Sequence, residues 1–346
     1  MTTSQNESKR ALLVRSRVRR YIRFSASSYL CWILVIQLKS RAMVTDKRSK
    51  SNFQAVLDLE SVKDGDSCSA VVTLVTCYYS TAAKHSESDY AVWNRRFLSL
   101  SDSMIIFTER KHLTFIKSVR EKSIGCTVVV ISSLNDANKR LGVDWHIQAK
   151  LDPEASVHRS TDLYVIWNHK SEWVAAAAYQ NPFRSTYFFW TDMGQFRDDN
   201  FINEYLRPEM TWIKWTNWIP KGKVLFLALE KFDPDELKLE SNGKSKPIDS
   251  IKVRLGGGNF GGEGEAMIRW AVLFKQKLHD YVSQGAFAGK DQPVYGSLCI
   301  ERSICHVVDA TAVRHISDPW FALQPVLLGI EHPVPIYSWA TTSQNP

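Results

Sequence analysis

The sequence predicts an α/β fold: a mostly parallel central sheet flanked by helices. Three observations lead there. Apolar, β-branched runs recur at 71–79 (VVTLVTCYY), 104–108 (MIIFT) and 126–132 (CTVVVIS), and runs without polar alternation belong to strands covered on both faces. Segments with helical spacing separate those runs, as strand–helix–strand crossovers require. The 346 residues are 44% hydrophobic and 23% charged, globular proportions that exclude wholesale disorder and allow a large core.

In order along the chain, 71–79 is the first strand. A helix over 89–100 presents Tyr90, Trp93, Phe97 and Leu98 on one face, 104–108 is the second strand, a helix near 112–121 follows, and 126–132 is the third strand. The segment 162–167 (DLYVIW) leads into Asn168-His169-Lys170, which opens a helix with four alanines at 175–178 that ends at Asn181-Pro182. Residues 187–190 (YFFW) form a strand stopping at Thr191-Asp192-Met193-Gly194, and 224–229 and 251–255 are further strands. The glycine segment 256–262 reads as a loop before a helix with Met267, Trp270, Phe274, Leu278 and Tyr281 at spacings of three and four. Gly285 is its end signal, and 289–295 (GKDQPVY) opens another short element.

The formal charge of +8 is confined to the start of the chain. Residues 1–50 hold 12 Lys/Arg and 2 Asp/Glu, which leaves 32 and 34 for the rest. A nucleic-acid binder carries its basic patch on the folded domain, so nucleic acid is not an expected partner. Residues 1–23 are a basic tail, and the uncharged stretch 24–38, followed by Lys39 and Arg41, reads as a short signal-anchor with a cytoplasmic N-terminus or as part of a tail without membrane role, a cleaved signal being disfavoured by the poor small-residue site Gln37-Leu38-Lys39. Fifteen helical residues span roughly 22 Å, and snorkelling by Arg23 and Lys39 makes up part of the hydrocarbon thickness. Residues 39–67 form a stem or linker, 68–335 a single α/β domain and 336–346 a C-terminal tail. Location follows: Golgi or ER membrane for the anchor, cytoplasm without it. Six cysteines with no CxxC pair or Cys/His cluster read as neither a disulfide framework nor a zinc site.

Asp192 carries the most chemistry. It ends a very apolar strand, where open α/β sheets present ligand groups, and can bind a cation or a ribose or cap the next segment. Lys170, placed at a helix start, suits a diphosphate. Gly256, Gly258 and Gly261 match GxGxxG, but the second acidic strand of a dinucleotide fold is missing downstream. Asp291-Gln292 can hold sugar hydroxyls, orient a leaving diphosphate or simply begin a helix.

The set VTLVTCYY, LYVIWNHK (163–170), NPF (181–183), FFWTDMGQFR (188–197), LGGGNFGG (255–262) and GKDQPVY resembles the HtrL/YibB family over roughly 69–300. More broadly, the chain resembles nucleotide-sugar glycosyltransferases of the A-type fold, with a lysine-led helix, then an apolar strand ending in Asp-x-Asp, and a Phe-Gly-Gly loop. That resemblance implies transfer of a sugar from a nucleotide-sugar donor to a glycan, lipid or protein acceptor; the alternative is a non-catalytic protein that binds a nucleotide or glycan in a degenerate pocket of that type. It implies nucleotide contacts at Thr76, Tyr78, Tyr79, Asn168, Lys170, Asp192, Gly194 and Arg197. It implies an acceptor loop at Gly256, Gly257, Gly258, Phe260, Gly261 and Gly262, and catalytic Asp291 and Gln292. Mn2+ or Mg2+ would sit on Asp192. The second acidic position, however, is Gly194, so either Asp192 holds the metal with phosphates and water, or Lys170 or Arg197 balances the diphosphate.

Overall fold

Strand β1 (Val72–Tyr78) forms where its valines are covered from both faces. The computed structural model describes residues 68–81, 85–158 and 160–337. After β1 come α1 (Glu87–Leu98), β2 (Ser103–Thr108), α2 (Leu113–Val119), β3 (Thr127–Ile131), α3 (Leu134–Leu141), α4 (Trp145–Leu151) and α5 (Thr161–Gln180). Then follow β4 (Tyr187–Thr191), α6 (Asp199–Tyr205), β5 (Val224–Ala228), β6 (Leu255–Glu263), α7 (Gly264–Ser283), α8 (Asp291–Arg302), β7 (Cys305–Asp309) and α9 (Leu323–Leu328).

The seven strands form one sheet in the order β3-β2-β1-β4-β6-β5-β7. All pairings are parallel except those of β6, which runs antiparallel to both β4 and β5. The expected α/β class, a mostly parallel sheet between helices, therefore holds. One face packs on α5 and α7 through Trp173, Trp190, Phe226, Phe260 and Trp270. The other joins Leu74, Ile106, Phe189 and Leu227 to Phe97, Ile116, Trp212, Leu323 and Leu327.

Three expectations need correction. The helix expected to begin at Lys170 already starts at Thr161, because the Ser160 hydroxyl accepts from Asp162 N and caps it. Lys170 is thus mid-helix and meets no dipole end or free N–H groups. Of the expected strand over 251–255 only Leu255 is extended, residues 251–254 forming a turn and irregular chain, and the glycine segment expected as a loop is strand β6. Glycine is required there: a Cβ on Gly261 would lie 2.5 Å from the Phe188 carbonyl oxygen, and one on Gly262 would lie 2.6 Å from that of Lys223. Finally, the cysteines do pair, as Cys68–Cys126 and Cys299–Cys305; sequence separations of 58 and 6 carried no recognisable spacing.

Among the described residues no helix is long and apolar enough to cross a membrane. The stretch 24–38, with the flanking tail and stem, lies outside them.

Candidate functional site

The sheet changes direction of growth at β1: β2 and β3 lie on one side of it and β4 on the other. The C-terminal ends of β1 and β4 therefore flank a topological switch point, where doubly wound sheets open a crevice. Asp192 follows β4 at this edge, its N–H donating to the Gly258 carbonyl at 2.8 Å. Its Oδ1 accepts from Trp190 Nε1 at 2.7 Å, and the side chain is 43% exposed.

Beneath it, α5 delivers Lys170, whose side chain is 4% exposed. Nζ donates to the Gly257 carbonyl at 2.9 Å, and lies 3.2 Å from Asp192 Oδ1 and 3.4 Å from Asp291 Oδ2. One ammonium thus joins the end of β4, the start of β6 and the first residue of α8. Burial alone would lower the Lys170 pKa, but the Asp192 and Asp291 carboxylates outweigh it and hold the amine above its ordinary value. Asp291 is 3% exposed, and burial raises its pKa although Lys170 pulls the other way.

Several expected residues converge here and others do not. Asn168 acts on the site from behind: its Nδ2 donates to the carbonyls of Gly289 at 2.8 Å and Ala288 at 3.2 Å, fixing the strap that delivers Asp291. Gly257 and Gly258 make room for carboxylates, since a Cβ would lie 2.9 Å from Asp291 Oδ2 and 3.3 Å from Asp192 Oδ2 respectively. The remaining acceptor-loop residues pack against their neighbours. Gly256 packs on Leu227, Gly261 and Gly262 touch neighbouring strands, and Phe260 is 0% exposed and stacked on Phe226. Gln292, half-buried, follows Asp291 in α8. Tyr79 stacks on Trp173, and Tyr78 packs against His112 and Phe115. Thr76 is fully buried with an unpartnered hydroxyl.

Sequence reasoning missed Trp190, which holds Asp192, and Cys77, at the end of β1, whose thiol pKa is raised by burial and then by the Asp192 charge. It also missed Thr191 and Asn259, a cross-strand pair whose buried side-chain polar atoms lack partners. Alternation along a strand shows which residues share a face but not which neighbour a helix brings to them.

The turn after Asp192 explains the missing second acid. A Cβ on Gly194 would lie 3.2 Å from Tyr90 Cε1 and 3.8 Å from Arg197 Nη2. A side chain at 194 would meet the Tyr90 ring. With Asp192 Oδ1 already bound to Trp190 and Lys170, and no group of three His, Cys, Asp or Glu converging among the described residues, the donor set does not fit a protein-held Mn2+ or Mg2+. At the opposite end of the sheet, Cys68, Asp102, Ser103, Thr211 and Lys214 line a cavity of 430 Å³ that Asp192, Lys170 and Asp291 do not border.

No family profile matches the sequence, and no curated protein matches it. Among solved structures, the apo form of mouse xyloside xylosyltransferase 1 is similar at 12% identity and a TM-score of 0.37, over 69% of this chain and 86% of that one. At that score the likeness carries no argument about activity, and the site is read from its own geometry.

Proposed function

We propose that this chain is a glycosyltransferase-like enzyme of the HtrL/YibB type that moves a sugar from a nucleotide-sugar donor to an acceptor hydroxyl. The observation that carries the reading is the triad Asp192–Lys170–Asp291, gathered from β4, α5 and α8 at the switch-point edge. A half-exposed carboxylate beside a buried one suits two tasks on one substrate. Asp192 faces the crevice and holds the nucleotide ribose. Asp291, with its pKa raised by burial above that of an ordinary carboxylate, takes the proton of the acceptor hydroxyl as the acceptor oxygen bonds to the sugar's anomeric carbon. The bond from that carbon to the diphosphate breaks, and the nucleoside diphosphate leaves with the electron pair.

Lys170 tunes the pair. It keeps Asp192 and Asp291 from repelling each other and the donor's phosphates. The two disulfides support an oxidising compartment, and with it the signal-anchor reading of 24–38 and a domain in the Golgi or ER lumen.

A second reading, a binding protein without turnover, is favoured by the ion pair that locks Asp291 to Lys170. Both are tested by incubating the full chain with a panel of nucleotide sugars and measuring nucleoside diphosphate release. Release that Asp192→Asn abolishes supports the transferase. Nucleotide binding without release supports the binding protein, and full release by Asp192→Asn refutes the site assignment.

A further inference from the structure

We propose that the diphosphate end of this site operates without a divalent metal, its charge met by the Arg197 guanidinium in the place where a second metal-binding carboxylate would stand. The inference rests on the nucleotide-sugar reading and extends it to how the leaving group is held.

Four contacts hold Arg197. Its Nε donates to the Gly194 carbonyl at 2.6 Å, and Nη1 lies 3.1 Å from His85 Nε2. The guanidinium sits 4.4 Å over the Trp93 ring and 5.4 Å from Phe321. Trp93 is itself held edge-on by Tyr90 and His85. Two polar tethers and two aromatic rings fix the plane of the fork, so little side-chain entropy remains to lose on binding.

Nη2 is left facing the turn, 3.8 Å from where a Gly194 side chain would begin. Among the described residues no carboxylate forms an ion pair with Arg197. A rigid, half-buried guanidinium that no carboxylate of the described residues pairs with, in the turn that follows Asp192, is a receptor for an anion. Its planar pair of donors matches phosphate oxygens.

The same geometry disfavours a metal. Tyr90 crowds a side chain at 194, whose Cβ would start 3.2 Å from its ring, and Lys170 supplies positive charge 3.2 Å from Asp192. A divalent ion on Asp192 would meet that ammonium. The arrangement replaces one mobile cation with two fixed ones: Arg197 toward the phosphates, and Lys170 as a positioning residue behind the carboxylates.

The test is calorimetric titration of the full chain with UDP, GDP, CDP and ADP, each in excess EDTA and again with Mn2+. One nucleotide should bind with affinities in the two conditions that agree within about threefold, and Arg197→Gln should weaken it about tenfold or more, equivalent to ~1.4 kcal/mol. Arg197→Lys, which keeps the charge and loses the planar fork, guards against misfolding and should fall between the two. Binding that requires Mn2+, or an Arg197→Gln affinity equal to the parent's, overturns the proposal while leaving a nucleotide site. No binding of any nucleotide in either condition overturns the nucleotide-sugar reading itself, and the proposal with it.

Discussion

Replacing Lys170 with methionine keeps the apolar stem and deletes the ammonium, so its effect isolates the charge. Asp291 is 3% exposed and loses the cation 3.4 Å away, and the Gly257 carbonyl loses its donor. Breaking a buried pair from one side costs about 3–5 kcal/mol. Asp192, with 43% of its side chain exposed, rehydrates and adds little. The loss should depend on pH. Burial already raises the Asp291 pKa, and without Lys170 it rises further above the unfolded value of about 3.9. Between those two values the folded chain binds the proton and the unfolded chain does not, so folding stability falls as pH rises through the window. Lys170→Met should therefore cost least at low pH and lose its full ~3–5 kcal/mol above the raised Asp291 pKa. The assay is urea denaturation followed by tryptophan fluorescence across this range. Adding Asp291→Asn should recover half the loss or more, because the neutral amide needs no counter-charge. A loss below about 1 kcal/mol at the alkaline end of the range, the value of an exposed pair, or a double variant no better than Lys170→Met, would refute the reasoning.

Gly257→Ala places a Cβ 2.9 Å from Asp291 Oδ2, whereas Gly256→Ala makes ordinary contact with Leu227 at 3.5 Å. Donor turnover should drop by about 10²-fold in the first, as expected for displacing a reacting group by roughly 1 Å, and change little in the second. Asp102 is 3% exposed and its pKa is raised to about 6 by burial, against hydrogen bonds from Trp212 and Ile213. Its proton is bound more tightly in the folded chain, so stability should fall by about 3 kcal/mol as pH rises from about 4 to about 6. Asp102→Asn, which keeps an oxygen to accept from Trp212 N, should flatten that slope in thermal or urea melts. Removing the Cys68–Cys126 bond, which closes a loop of 58 residues, should lower stability by about 4 kcal/mol, and removing Cys299–Cys305, separated by 6, by about 2. Serine variants compared by denaturant midpoint would check the order, and equal losses would count against it.

What could be read from the sequence was whatever local chemistry fixes. The runs at β1, β2, β3 and β4 carry their own covering preference, and α7 carries its own period, so both were placed within a few residues. The first half of α5 was hidden because Leu163–Trp167 is rich in branched and aromatic side chains, and only the Ser160 cap declares the helix. Strand β6 could not be read at all. Glycine disfavours strands, and the cause of the strand is the pressure of Phe188, Phe189 and Lys223 on either side. Asp192, Lys170 and Asp291 were each singled out, yet their meeting was not. Lys170 and Asp291 lie 121 residues apart, and an ion pair across that separation is a property of the sheet order rather than of any segment.

Strand β6 has a further consequence for how the molecule opens and closes. Among the described residues it is the one strand joining β3-β2-β1-β4 to β5-β7, so this sheet hangs together through a stretch that includes five glycines. Those residues surrender the most backbone freedom on ordering, and their partners β4 and β5 must already be near. The seam should therefore close late in folding and break early under force. Its amides should then exchange with solvent through a partial opening of the seam, ahead of those of β1, β2 and β3. The carbonyl that receives Lys170 belongs to this seam, so the site's ammonium finds its seat only in the last step of assembly.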